Sequence, residues 1–192
     1  MPLSALEGVG GWFHGAAWRQ CAGRRAAMTS DAIKRDATEH ARLGKFEEAI
    51  ASMQRYAAQG NISAYDLQSL GRWMFSAKRR DEALHTFDAA LRHVPIEVDR
   101  DYSDRSPRFC AYWRAGMYRN ICGSVGFMMN IPLETDEGTR LRALHWRWHE
   151  LESSLNETAG SDPLPTQSAL ERKLFDEAIG AIAVARAKGE SI

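Results

Sequence analysis

Between Leu70 and Pro95 the chain reads LGRWMFSAKRRDEALHTFDAALRHVP. This stretch holds a helix carrying small residues, a short basic turn and a second amphipathic helix. Leu70, Gly71, Ala83, Phe87 and Ala90 fall where two antiparallel helices must nest, the small residues allowing close approach and Phe87 filling the space between neighbouring units of this kind. Pro95 is expected to end the second helix, because proline has no amide hydrogen to donate and its ring clashes with the preceding turn. A chain built around such a hairpin is committed to helix-on-helix packing. Strand-type Val/Ile/Thr alternation is nearly absent elsewhere, whereas Ala, Leu, Glu, Arg and Met dominate. The fold class is therefore all-α.

Local signals place seven helices. The first is expected over residues 31–43 with Ser30 as N-cap, and the second over 46–58, between Gly44 and Gly60. Ser63 and Asp66 make a capping-box pattern before a third helix reaching residue 77. The fourth is expected over 81–93, followed by a charged loop, IEVDRDYSDRS, at 96–106. Ser106 and Pro107 open a fifth helix over 107–129, with a bend expected near Gly123 and Gly126. Thr135 caps a sixth over 136–156, in which Leu141, Leu144, Trp148, Leu151 and Leu155 form one packing stripe. After the linker NETAGSDPLPTQ, Ser168 and Glu171 suggest a second capping box for a helix over 169–188.

The hairpin resembles the tetratricopeptide repeat, a helix-turn-helix unit of 34 residues with the pattern W-x2-L-G-x2-Y…A-x3-F…P. Over residues 64–97, Leu67 stands in the Trp slot and Met74 in the Tyr slot, while Leu70, Gly71, Ala83, Phe87, Ala90 and Pro95 keep the pattern. Residues 30–63 are a degenerate copy, with Ala37, Ala49 and Met53 in the small, small and large positions. Asp36, Tyr56 and Asn61 depart from it. Stepping forward instead puts Asp101, Asp104 and Arg105 where a packed helix should lie, so the period ends there. The resemblance implies a short α-solenoid with additional C-terminal helices, acting as a protein-interaction scaffold. It further implies a groove for a peptide or partner helix on the first helix of each unit, formed here by Lys34, Thr38, Tyr65, Gln68 and Arg72. Thr38 and Ser69 stand where a carboxylate clamp of the family places asparagines, which argues against recognition of chaperone tails. An unrelated helical hairpin, with these residues as a solvated face, is the other reading. Two units leave apolar ends, so stacking of the later helices, a homo-oligomer or a permanent partner is expected.

Two other constellations carry chemistry. Residues 105–119, RSPRFCAYWRAGMYR, interleave arginines with aromatics, and no acid occurs between Arg105 and Glu134. Arg108, Trp113, Arg114 and Arg119 could stack on bases and pair with phosphates. Alternatively Phe109, Trp113 and Met117, spaced four apart, face the core with arginines at its edge. Lys plus Arg equals Asp plus Glu at 25 each, which favours the core reading and makes nucleic acid the lesser partner class. On the sixth helix His145, His149 and Glu152 share a face that could present metal ligands, but no fourth ligand is identifiable and no resident metal is expected.

No nucleophile motif, phosphate loop or dinucleotide fingerprint occurs, so neither enzyme nor cofactor is inferred. Three cysteines, Cys21, Cys110 and Cys122, form no disulfide framework and suit a reducing, cytoplasmic setting. No run is apolar enough to span a bilayer. Residues 1–28 are glycine- and arginine-rich with one acid, Glu7, and are expected to be a disordered extension before a single helical domain at 29–192, Met28 being an alternative start.

Overall fold

In a computed structural model, residues 30–60, 62–130 and 135–189 are described; the expected N-terminal extension lies outside them. Among the described residues there are seven α-helices and no strand: α1 (Ser30–Arg42), α2 (Phe46–Ala57), α3 (Ala64–Ser76), α4 (Arg80–Asp101), α5 (Pro107–Met129), α6 (Asp136–Glu157) and α7 (Pro165–Gly189). They fall into two compact units divided between Ile62 and Ser63.

The first unit is the hairpin α1–α2. Ile33 and Ala37 on α1 are buried, as are Ala49, Ile50, Met53 and Tyr56 on α2. Asp36 sits where an apolar residue would fit the repeat pattern; it instead accepts a hydrogen bond from Ser52 Oγ at 2.9 Å and faces His40 and Arg55. Gly44 takes a left-handed φ of 71° in the turn.

The second unit holds α3 to α7. Its first hairpin reproduces the local geometry of α1–α2 with an offset of 34 residues in both helix starts and in the end of the first helix. The turns match as well. Lys78 (φ 63°) takes the left-handed conformation that Gly44 has, and Arg79 N–H donates to the Met74 carbonyl as Lys45 N–H does to that of His40. Gly71 lies under the ring of the fully buried Phe87, where a Cβ would come within 3.0 Å of ring carbons. Both capping-box bonds at Ser63 and Asp66 form.

Helix α4 does not stop at Pro95 but runs on to Asp101, so the expected loop at 96–106 shrinks to five residues. Tertiary interactions outweigh the lost amide. Leu91, Val94 and Val98 continue the buried stripe of α4 across the proline, and Glu97 reaches the start of α3, accepting from Ala64 N–H at 2.6 Å. Helix α5 starts as expected, with Ser106 Oγ accepting from Phe109 N–H and Pro107 in the first turn. It runs unbroken through Gly123 and Gly126.

Helix α6 starts at the Thr135 cap and buries all five members of its stripe, from Leu141 to Leu155. Trp148 is fully buried, with its ring centroid 4.7 Å from that of Tyr118, which in turn meets Phe175 of α7. Truncating such a residue to alanine costs about 3–5 kcal/mol. Helix α7 begins at Pro165, four residues before expectation. Gln167 Oε1 accepts from Leu164 N–H at 2.8 Å, the backbone contact that a capping box would have given Glu171. Ser168 is therefore inside the helix rather than its cap. Helix α7 packs on α6 and α4, while α5 packs on α6, α4 and α3. No described helix is long and apolar enough to cross a membrane.

Candidate groove between helices α3, α5 and α6

The α5–α6 hairpin is closed by small residues on α5 facing long polar side chains on α6. A Cβ at Gly116 would lie 2.9 Å from Glu152 Oε1, and one at Gly123 would lie 2.7 Å from His145 Nδ1. At Gly126 the neighbour is the Arg142 backbone. The three glycines thus serve close approach, not a bend, and the two helices run antiparallel in one register along this seam.

That seam accounts for the candidate metal face. Arg119 Nη1 donates to Glu152 Oε2 at 2.5 Å and lies 3.2 Å from His149 Nδ1. His145 Nδ1 is 3.0 Å from the Arg119 carbonyl oxygen, which can only accept, so the imidazole hydrogen is on Nδ1. The Arg119 guanidinium thus meets both Glu152 and His149, while His145 is turned to the Arg119 backbone. Among the described residues no three His, Cys, Asp or Glu side chains are grouped to hold a metal.

The arginine/aromatic segment divides in the same way. Arg114 donates from Nε and Nη2 to the two carboxylate oxygens of Glu171, at 2.6 and 3.1 Å, tying α5 to α7. Arg114 and Arg119 are thus spent inside the helix bundle. Trp113 is half-exposed and stacks on Tyr102 at 5.3 Å, with Phe109 and Tyr112 against its edges. Arg105 lies over the Phe109 ring and Arg108 is half-buried. The expected core stripe of Phe109, Trp113 and Met117 is also not the buried one; α5 buries Ala111, Ala115, Tyr118, Cys122 and Val125 instead, with the aromatics at the bundle edge.

Of the expected groove residues, Lys34 and Thr38 are in the first unit. Lys34 Nζ lies over the Tyr56 ring at 5.7 Å, and Thr38 Oγ1 donates to the Lys34 carbonyl. Tyr65 and Arg72 are exposed on α3. Gln68 is not: it is buried against α5, its Nε2 donating to the Asn120 carbonyl at 3.0 Å and to Ser124 Oγ at 2.6 Å. A residue so placed locks α3 to α5 and is not available to a partner.

Arg72 instead forms one wall of a groove of about 470 Å³ whose floor is the outward stripe of α5: Asn120, Gly123, Ser124 and Phe127. His145, Trp146 and Arg142 of α6 form the opposite wall. Phe127 and Trp146 are each 64% exposed, more than any other aromatic of the second unit except Tyr65. Neither residue was a sequence candidate. Both lie off the packing stripes of their helices, which is the signal that marks them. A larger hollow, about 830 Å³, follows one outer face of α7; Arg172, Lys173, Asp176 and Glu177 line it with balanced charge and no aromatic, as on a solvated helix face.

Comparison with protein-family models, curated proteins and solved structures finds no match to this chain.

Proposed function

We propose that the chain is a protein-interaction module that takes a peptide segment in the groove between α3, α5 and α6. The observation that carries this reading is the pair Phe127 and Trp146, two large exposed aromatics that line the groove, one on its floor and one on its wall, beside the small and polar Gly123, Ser124 and Asn120. Aromatic anchors beside a concave, partly polar surface are the usual energetic centre of a peptide interface. The recurrence of helix limits and turn geometry at 34 residues supports reading α1–α2 and α3–α4 as tetratricopeptide-like units. Within the second unit α5 packs beside α3 and α4 with α6 against it, and α7 covers the bundle by packing on α4 and α6. The free thiols Cys110 and Cys122 suit a reducing, cytoplasmic setting. Binding of nucleic acid is the weaker reading, because Arg114 and Arg119 are engaged with Glu171 and Glu152.

The test is NMR titration with a peptide selected for binding. The indole N–H signal of Trp146 should shift on binding while that of Trp113 stays in place. Shifts confined to Trp113 would move the site to the α4–α5 corner and end this proposal.

A further inference from the structure

His145 stands half-buried on the α6 wall of the groove, its ring fixed from two sides. Its Nδ1–H donates to the Arg119 carbonyl at 3.0 Å, and the ring meets that of Trp146 edge-on, with centroids 5.1 Å apart. Gly123 makes room for it, since a Cβ there would lie 2.7 Å from Nδ1. With the hydrogen on Nδ1, the neutral ring keeps a lone pair on Nε2, and among the described residues that nitrogen has no hydrogen-bond partner. Of the other polar groups lining the groove, Arg72 and Arg142 can only donate, and Asn120 can do either. Ser124 Oγ already accepts from Gln68, which leaves its hydrogen to donate. An extended peptide backbone brings both carbonyls and N–H groups to such a surface, and each needs a partner where water is displaced. From this arrangement we infer that His145 holds the bound segment by accepting a backbone N–H at Nε2, so that acid releases the segment. The inference rests on the peptide-binding reading above.

Imidazole is the side chain that changes charge between about pH 5 and 8. A proton on Nε2 turns the acceptor into a donor. The segment's N–H is then left without a partner, which costs more than a typical hydrogen bond contributes. The Nδ1–H bond to Arg119 survives protonation, so the seam between α5 and α6 is kept and the response belongs to the groove. Charged groups face the ring from three helices. On α6, Arg142 lies one turn before it and His149 one turn after. Glu152, further along α6, receives the Arg119 guanidinium of α5 and lies 3.8 Å from His149. Arg72 comes from α3. The ion pairs that join α6 to α7, Arg147 with Glu177 and Glu137 with Lys188, involve none of the groove's lining residues. No Asp or Glu is among those described lining residues, so a charged ring gains no carboxylate there in exchange for the lost contact.

The experiment selects peptides against the full chain at pH 7.5 from a display library without Asp, Glu or His. The peptides are synthesised with capped ends, so that only the protein titrates. Affinity is measured from pH 7.5 to 5.5 on wild type, Trp146→Ala, His145→Gln, His145→Leu and His149→Gln, with circular dichroism verifying the fold at each pH. Peptides that depend on Trp146 should lose about tenfold in affinity for wild type across this range. His145→Gln, whose carbonyl accepts at any pH, should keep most of the affinity and abolish the loss. His145→Leu should bind at pH 7.5 as weakly as wild type does in acid, and His149→Gln should keep the wild-type profile. A peptide methylated at the contacting amide should bind wild type weakly and without pH dependence, a result that needs no protein variant. Trp146-dependent binding that holds or strengthens in acid overturns the role of His145 and leaves the peptide-binding reading intact. So does an acid loss that persists in His145→Gln, vanishes in His149→Gln, or survives methylation of every amide in turn. If no selected peptide depends on Trp146, both fail.

Discussion

Gly126 of α5 meets the backbone of Arg142 on α6 so closely that a Cβ at Gly126 would lie 2.8 Å from the Arg142 nitrogen. The carbonyl oxygen of Gly138 would be 2.9 Å away, also backbone. Neither atom can turn aside as a side chain can, so the helices would have to separate. Alanine is worth about 1 kcal/mol over glycine inside a helix, whereas overpacking costs about 1–3 kcal/mol. Gly126→Ala should therefore lower stability, by up to about 2 kcal/mol in chemical denaturation. Gly180 on α7 has nothing within 4 Å of the added carbon, so Gly180→Ala should raise stability by up to about 1 kcal/mol. Equal effects at the two sites would refute the close-approach role.

The Arg114–Glu171 pair should be a measurable link between α5 and α7. Both side chains are largely covered, at 22% and 16% exposure, and the contact is bidentate. Burial opposes the charge on Arg114, yet the hydrogen bond and attraction from Glu171 leave its pKa above the ordinary value. A double-mutant cycle over Arg114→Ala and Glu171→Ala should give a coupling of about 1–2 kcal/mol, between the values for exposed and fully buried pairs. The exposed Arg92–Asp88 pair within α4 should couple by no more than about 0.5 kcal/mol. Coupling at Arg114 no larger than at Arg92 would make the interhelix contact energetically idle.

These pairs also mark where the sequence stops being legible. Helix starts written in neighbouring residues form as read: Ser63 with Asp66, Ser106 before Pro107, and Thr135. The stripe from Leu141 to Leu155 is buried throughout because a 3.6-residue period fixes one face. Misreadings arise where the deciding partner is far along the chain. Pro95 looked like a stop because Val98 packing and the Glu97 contact with Ala64 depend on tertiary placement. The Ser168–Glu171 pattern was a sound local signal, but Glu171 is taken by Arg114 and Gln167 does the capping. Gly116 and Gly123 pair with Glu152 and His145 in a register that only the folded hairpin defines. The groove is half-legible: Arg72 faces it as the repeat pattern implies, while Gln68, one turn earlier, is buried against α5.

Thiol chemistry should separate the two described cysteines. Cys122 is fully buried, and burial pushes its thiol up to about 12 although the Trp148 indole acts in the opposite direction. At pH 8 its thiolate is then a fraction of about one in ten thousand, and reagent has no access to it. Cys110 is half-buried on α5, its Sγ 3.5 Å from the Tyr102 carbonyl oxygen. Iodoacetamide on the native protein, followed by peptide mass mapping, should modify Cys110 within the time that leaves Cys122 intact. Guanidinium should equalise them. Rapid modification of native Cys122 would mean that the α5–α6–α7 core opens far more readily than its packing implies.

Acid should loosen the link between the end of α7 and the start of α6. Lys188 Nζ lies 2.6 Å from Glu137 Oε1. The Lys188 hydrogen bond holds the Glu137 carboxyl below its ordinary value of 4.5, against the opposing effect of burial. A carboxyl depressed in the folded state contributes stability that is fully present above its unfolded pKa and is lost as pH falls through the folded one. Lys188 is shifted upward by the same bond, so its share is present below 10.5 and is lost only as pH rises through its higher folded value. Lys188→Gln should therefore lower Tm at pH 7, and the gap to wild type should close as pH falls from 5 to 3, when Glu137 takes up its proton. Thermal melts of both proteins across that range test it. A gap that stays constant down to pH 3 would mean that Lys188 stabilises the helix end by packing alone.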